Sequence, residues 1–125
     1  MAVALGSALG SLARWEGAGA LQAALGPPFP SGTLAVNVAG SFLIGLIAAL
    51  TSPGGRFPAS PAVRLFLMAG FCGGFTTFST FALDTLQLAQ RGAAPVALLY
   101  VALSVPLWLA AVLTGWRLGR RLDRA

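Results

Sequence analysis

The sequence predicts an all-α integral membrane protein with four transmembrane helices per subunit. Three observations predict it. Of 125 residues, 57% are hydrophobic and only 9% are charged, against about 25% charged in a soluble domain, and the mean hydropathy is +0.82. Three runs carry no charge: Thr33 to Leu50, Leu65 to Leu83 and Ala93 to Trp116, each close to the roughly 20 apolar residues that span a bilayer. The connections between them are short and rich in proline and glycine, which leaves one membrane domain, 1–125, with no linker and no second unit.

The first span is expected at about 2–25. Arg14, Trp15 and Glu16 interrupt it, but its many small residues (GSALGS, GAGALQAAL) suit close helix packing. The turn GPPFP at 26–30 ends it, because proline cannot continue a helix. The second span is expected at about 32–51, followed by the loop TSPGGRFPASP at 51–61. The third is expected at about 62–90 and closes at Arg91-Gly92. The fourth, about 94–118, opens with Pro95 in its first turn and ends in the polar tail GRRLDRA. With four spans both termini share a side. That side collects Arg56, Arg64, Arg117, Arg120, Arg121 and Arg124, against Arg91 on the other, so the positive-inside rule favours cytoplasmic termini. Glycine pairs recur four apart (Gly6 and Gly10, Gly70 and Gly74, Gly115 and Gly119), and each pair alone is best read as packing within one chain. A four-helix bundle is thin for a polar pathway, so oligomerisation is expected.

Several chemistries are excluded. The basic residues flank apolar runs rather than forming a basic face, so nucleic acid is not the partner. One cysteine, Cys72, allows no disulfide within the chain. No histidine, no second cysteine and no paired carboxylate supports an enzyme or a zinc site. The first thirteen residues carry no basic side chain, unlike a secretory signal. No nucleotide-binding motif and no organic cofactor site is visible.

Polar residues in apolar spans are costly and face protein or water. Here they fall into stripes. Thr33, Asn37 and Ser41 are spaced at i, i+4 and i+8. Gly73, Thr77, Thr80 and Asp84 step by four, three and four. Tyr100, Ser104 and Trp108 step by four. Singly, each stripe is better explained by backbone bonding or helix glue. Together, three rows of hydroxyl, amide and indole donors point to a shared pathway for an anion or a neutral solute.

Residues 70–81 read GFCGGFTTFSTF. Gly73-Gly74 followed by Thr76-Thr77 is poor helix material, so the third helix is expected to break near its middle. A break at membrane depth frees carbonyls that can coordinate a cation. Phe71, Phe75, Phe78 and Phe81 recur at helical spacing, and aromatic edges are partly positive.

GFCGGFTTFSTF, together with GTLAVNVAGSF at 32–42, resembles the small bacterial fluoride channels called Fluc or CrcB proteins. The resemblance extends to an arginine in the first helix, Gln90-Arg91-Gly92, and the LLY…S pattern of the fourth helix. It implies a fluoride-selective channel that exports fluoride passively across the bacterial inner membrane and protects the cell from fluoride. It implies an antiparallel, dual-topology dimer with two pores. Within each pore it assigns Asn37, Thr33, Phe78, Phe81, Tyr100 and Ser104, with Arg14 at the vestibule, and the polar stripe of the third span adds Thr77 and Thr80 as pore candidates. The resemblance also implies a structural Na+ at the dimer centre, held by the backbone carbonyls of Gly73 and Thr76.

Two features depart from that family pattern. Trp108 stands where a further hydroxyl often follows, and the arginine bias is unusual for a chain that inserts both ways. A homodimer is expected, with pairing to a second subunit as the alternative. The runner-up function is a small multidrug-type cation exporter using Glu16, which leaves GFCGGFTTFSTF unexplained. An accessory subunit without transport leaves the donor stripes unexplained. Asp84 is read as a bond to a neighbouring helix.

Overall fold

The computed structural model describes residues 1–124, and every regular element among them is helical. Helix α1 runs Ala2–Leu25 and stops at Gly26, whose φ of 72° suits glycine alone among common residues. The turn that follows is organised by one side chain. Gln22 Nε2 donates to the carbonyls of Gly26 and Phe29 at 3.0 and 3.1 Å, and Gln22 Oε1 accepts the Gly32 N–H at 3.2 Å. This folds α2, Ser31–Leu50, back along α1.

Short helix α3, Pro61–Arg64, begins with Ser60 as its cap and proline in its first turn. It continues as a π-helical segment, Leu65–Cys72, and then as α4, Gly73–Phe75. Thr76 and Thr77 are extended, with ψ of 160° and 118°. Helix α5, Phe78–Gln90, then starts anew, capped by Thr77 Oγ1, which accepts the Thr80 N–H at 3.1 Å. Helix α6, Ala94–Arg124, carries Pro106 inside it and continues beyond residue 118, where its apolar stretch was expected to close.

Among the described residues three helical stretches are long and apolar enough to cross a membrane: Ser31–Leu50, Pro61–Gln90 and Ala94–Arg124. Helix α1, interrupted by Arg14 and Glu16, is not among them. The chain is a multi-pass membrane protein. Its helices pack through backbone contact. A Cβ at Gly6 or Gly10 would strike the main chain of Phe66 or Phe71, and one at Gly115 would strike the Phe42 carbonyl. These glycines seat α1 against the π segment and α6 against α2, so they serve packing within the chain.

Candidate functional site

The site forms where the extended residues Thr76 and Thr77 meet α2, α5 and α6. Thr76 stays tied to the preceding turn, with its N–H and its Oγ1 both donating to the Cys72 carbonyl, at 3.0 and 2.9 Å. Thr77 does not. In a continuous α-helix its N–H would bond the Gly73 carbonyl. Instead it donates to Asn37 Oδ1 at 2.7 Å, and Asn37 Nδ2 donates back to the Thr77 carbonyl at 2.9 Å. Asn37 is only 4% exposed. The amide therefore satisfies the Thr77 N–H, which the interruption leaves without a helical partner, and adds a bond to the carbonyl with which Thr77 opens α5.

The step from Gly73 to Thr77 assumed one continuous helix, and the extended pair removes it. Gly73 is not on a shared helical face with Thr77, Thr80 and Asp84. Beyond the interruption the hydroxyls form a cluster. Thr77 Oγ1 donates to Thr80 Oγ1 at 3.0 Å and lies 3.2 Å from Ser79 Oγ. Asp84 makes the helix-to-helix bond expected of it, accepting from Thr33 Oγ1 at 2.7 Å.

The phenylalanines also divide. Phe71 and Phe75 stack before the interruption, with centroids 5.9 Å apart, while Phe78 and Phe81 pair after it at 5.5 Å. Phe81 is the hub. It is buried, with Tyr100 at 5.1 Å and the Trp108 ring edge-on at 4.9 Å. Phe78 is 71% exposed.

Helix α6 supplies the most informative feature. Tyr100 and Ser104 are fully buried, and Trp108 is partly buried. The Tyr100 hydroxyl, Ser104 Oγ and Trp108 Nε1 are all buried and have no hydrogen-bond partner among the described residues. Tyr100 lies beside Thr33 and Asp84 without a well-formed bond to either. Three orphaned donors on one helix face is a pattern that packing does not explain, because each forfeits a bond it could make in water.

Two cavities adjoin Thr77. The larger, about 1230 Å³, is lined by Arg14, Trp15, Glu16, Thr33, Thr77 and Thr80 among others. The smaller, about 250 Å³, is lined by Asn37, Gly73, Thr76, Thr77, Phe78 and Trp108 among others. Arg14 Nε is buried beside the first, without a partner among the described residues. Of the expected site residues, Arg14, Thr33, Thr77 and Thr80 line the first cavity, Asn37, Gly73, Thr76, Thr77 and Phe78 line the second, Tyr100 packs on Phe81, and Ser104 lines neither cavity.

The family model described as "CrcB-like protein, Camphor Resistance (CrcB)" matches residues 1–116. The chain belongs to the CrcB-like family. A relative from Paracoccus denitrificans, named Fluoride-specific ion channel FluC, is 52% identical over 120 residues, covering 96% of this chain and 93% of its own. One from Rhizobium etli, with the same name, is 51% identical over 121 residues, covering 96% and 94%. Fluoride-specific ion channel FluC 1 from Bradyrhizobium diazoefficiens is 47% identical over 122 residues, covering 98% and 84%. Membership in the CrcB-like family sets aside the exporter reading, and Glu16 lies exposed on α1.

Sequence reasoning on this CrcB-like chain missed one contributor, Gln22, and the bonds made by a second that it had named, Asn37. Gln22 builds the turn between α1 and α2, and only its place before a proline-rich stretch hints at that. Asn37 was expected to offer donors to a pathway. One donor and its acceptor instead hold Thr77, and the second Nδ2 hydrogen remains for another acceptor.

Proposed function

We propose that the chain is a fluoride-selective channel that lets cytoplasmic fluoride leave the cell passively. The observation that carries this reading is the row of buried donors without a partner among the described residues, Tyr100 Oη, Ser104 Oγ and Trp108 Nε1, whose two aromatic members pack against the Phe81 ring. A small, strongly hydrated anion that sheds water needs hydrogen-bond donors in its place, without a full positive charge that would trap it. A partly positive ring edge attracts an anion where water does not follow. The relatives named Fluoride-specific ion channel FluC support fluoride as that anion.

In this reading Arg14 attracts the anion to the larger cavity. The Thr80 hydroxyl and the second Asn37 Nδ2 hydrogen offer donors, Thr33 and Thr77 hold that lining in place through the bonds they donate to Asp84 and Thr80, and Phe78 and Phe81 flank the passage to Tyr100 and Ser104. Export needs no coupled ion, since one charge moved through 100 mV gains about 2.3 kcal/mol. Fluoride enters as neutral HF and is trapped as the anion in a more alkaline cytoplasm. The channel then sits in the bacterial inner membrane and protects against fluoride toxicity, and no catalytic step is involved.

The finer architecture belongs to the same proposal. Four spans, α1 included, form each subunit, the third span is interrupted at Thr76-Thr77 within the bilayer, and two subunits pair antiparallel. A structural Na+ would sit between them, held by the Gly73 and Thr76 carbonyls of each copy. The residues fit that group. Gly73 is exposed at the interruption, and its carbonyl has lost its α-helical partner to Asn37. Carbonyl oxygen is the ligand that unwound membrane helices offer sodium. When bound, the ion would supply fixed positive charge that holds two interrupted helices together.

The test is flux. Purified protein is reconstituted into liposomes loaded with fluoride and chloride, and a potassium ionophore starts efflux. Rapid fluoride loss without chloride loss is expected. Loss of both anions alike would overturn the selectivity, and no loss from folded protein would overturn the self-sufficient homodimer in favour of a paired subunit.

A further inference from the structure

The arginines at the end of α6 take no part in the pathway above. Helix α6 has 31 residues, so it is about 46 Å long at 1.5 Å per residue. The hydrocarbon core is about 30 Å thick. The apolar part of α6 ends at Trp116, at the depth where indole rings concentrate. Arg117 to Arg124 therefore fall at headgroup level.

Arg117, Arg120, Arg121 and Arg124 follow at i, i+3, i+4 and i+7, on one helix face. All four are exposed, and with Trp116 they line a groove of about 230 Å³. The Arg120 guanidinium stacks 5.4 Å from the Trp116 ring centroid, which holds it at the boundary. Arg56 reaches the same helix end from the loop after α2, its Nη1 donating to the Leu122 carbonyl at 2.8 Å. The one acid there, Asp123, has an Oδ1 with no partner among the described residues, so it does not bind a guanidinium through that atom. Like charges gathered this closely repel one another unless an anion lies among them. Guanidinium forks match phosphate oxygens in pairs.

We propose that this groove binds the headgroup phosphate of an anionic phospholipid. The site is independent of the fluoride reading, because it lies outside both cavities at Thr77.

The full chain is reconstituted in phosphatidylcholine vesicles containing a trace of spin-labelled phosphatidylglycerol or spin-labelled phosphatidylcholine. Electron spin resonance then gives the motionally restricted fraction of each probe. The protein is expected to restrict phosphatidylglycerol several-fold more strongly at low salt. Arg120→Gln with Arg121→Gln should weaken that preference at least roughly fivefold, the factor that one headgroup-level arginine carries. Arg91→Gln, at the other end of the helices, should leave it unchanged. Equal restriction of the two probes by the wild-type protein overturns the proposal, as does a preference that survives the double substitution. Saturable binding of inorganic phosphate by wild-type protein that shows no lipid preference would assign the groove to a soluble phosphate instead.

Discussion

The Asn37 side-chain amide clamps the backbone of Thr77 from both sides, accepting its N–H at 2.7 Å and donating to its carbonyl at 2.9 Å. The clamp joins α2 to the point where helical structure stops and restarts. Asn37→Ala leaves the Thr77 N–H without a partner, at about 1–3 kcal/mol for a buried group, and takes one bond from the Thr77 carbonyl, which as the α5 cap keeps its helical bond. Asn37→Asp keeps the acceptor but sets a carboxylate oxygen against the Thr77 carbonyl. Both variants should unfold earlier than wild type in a detergent thermal melt, and both should lose fluoride efflux. An unchanged melt for Asn37→Ala would mean that the clamp contributes nothing to the shape of the interruption.

The clamp also marks the limit of what the sequence discloses. The all-α membrane class and the family were legible, because hydropathy and two long motifs are local signals. The partner of Asn37 was not, since it lies 40 residues away and depends on how α2 docks. Helical spacing misled at Gly73 and Thr77 because it presumes unbroken geometry across Thr76. It misled likewise for the phenylalanines, which form two separate pairs rather than one row. The packing role of Gly6, Gly10 and Gly115 was readable in kind, while the backbone atoms they meet required the fold.

Phe81 and Phe78 should separate stability from transport. Phe81 is 6% exposed and touches Phe78, Tyr100 and Trp108, whereas Phe78 is 71% exposed. In lipid the water-transfer part of the truncation cost is small, but the lost packing remains. Phe81→Ala should therefore cost about 2 kcal/mol, toward the low end of core truncations. Phe78→Ala should change stability by no more than about 0.5 kcal/mol, as at other exposed sites. Fluoride efflux should fall in both. Normal efflux by a well-folded Phe78→Ala protein would remove that ring from the pathway.

Thr33 and Asp84 form a pair whose disruption should be partly reversible. The Thr33 hydroxyl donates to Asp84 Oδ2 at 2.7 Å, a short charge-assisted bond. Thr33→Val keeps the shape and removes the donor, which costs about 1.5–3 kcal/mol. It also releases a carboxylate beside Tyr100, where an anion is proposed to pass. Efflux by Thr33→Val should slow. Adding Asp84→Asn removes the released charge, so the double variant should recover efflux toward wild type. A double-mutant cycle on stability should return a coupling of about 1 kcal/mol or more. Additive effects on both readouts would show that the two side chains act independently.

Trp108 combines two roles, ring packing and hydrogen-bond donation, of which a hydroxyl at its position would supply only the second. Its ring packs edge-on against Phe81 at 4.9 Å, and its Nε1 hydrogen is a third unpartnered donor one turn beyond Ser104. Trp108→Phe keeps most of the ring and removes the donor. Trp108→Ser removes the ring and supplies a hydroxyl. If the indole N–H serves the anion, Trp108→Phe should slow fluoride efflux by at least roughly tenfold, the low end of what one hydrogen bond to a charged group carries. Trp108→Ser should retain more efflux than Trp108→Phe while melting lower, because Phe81 loses a packing partner. The wild-type protein offers a check without substitution. Fluoride titration should move the Trp108 indole N–H resonance downfield, and chloride should not. An immobile resonance, together with wild-type efflux by Trp108→Phe, would confine Trp108 to packing against Phe81 and end the donor row at Ser104.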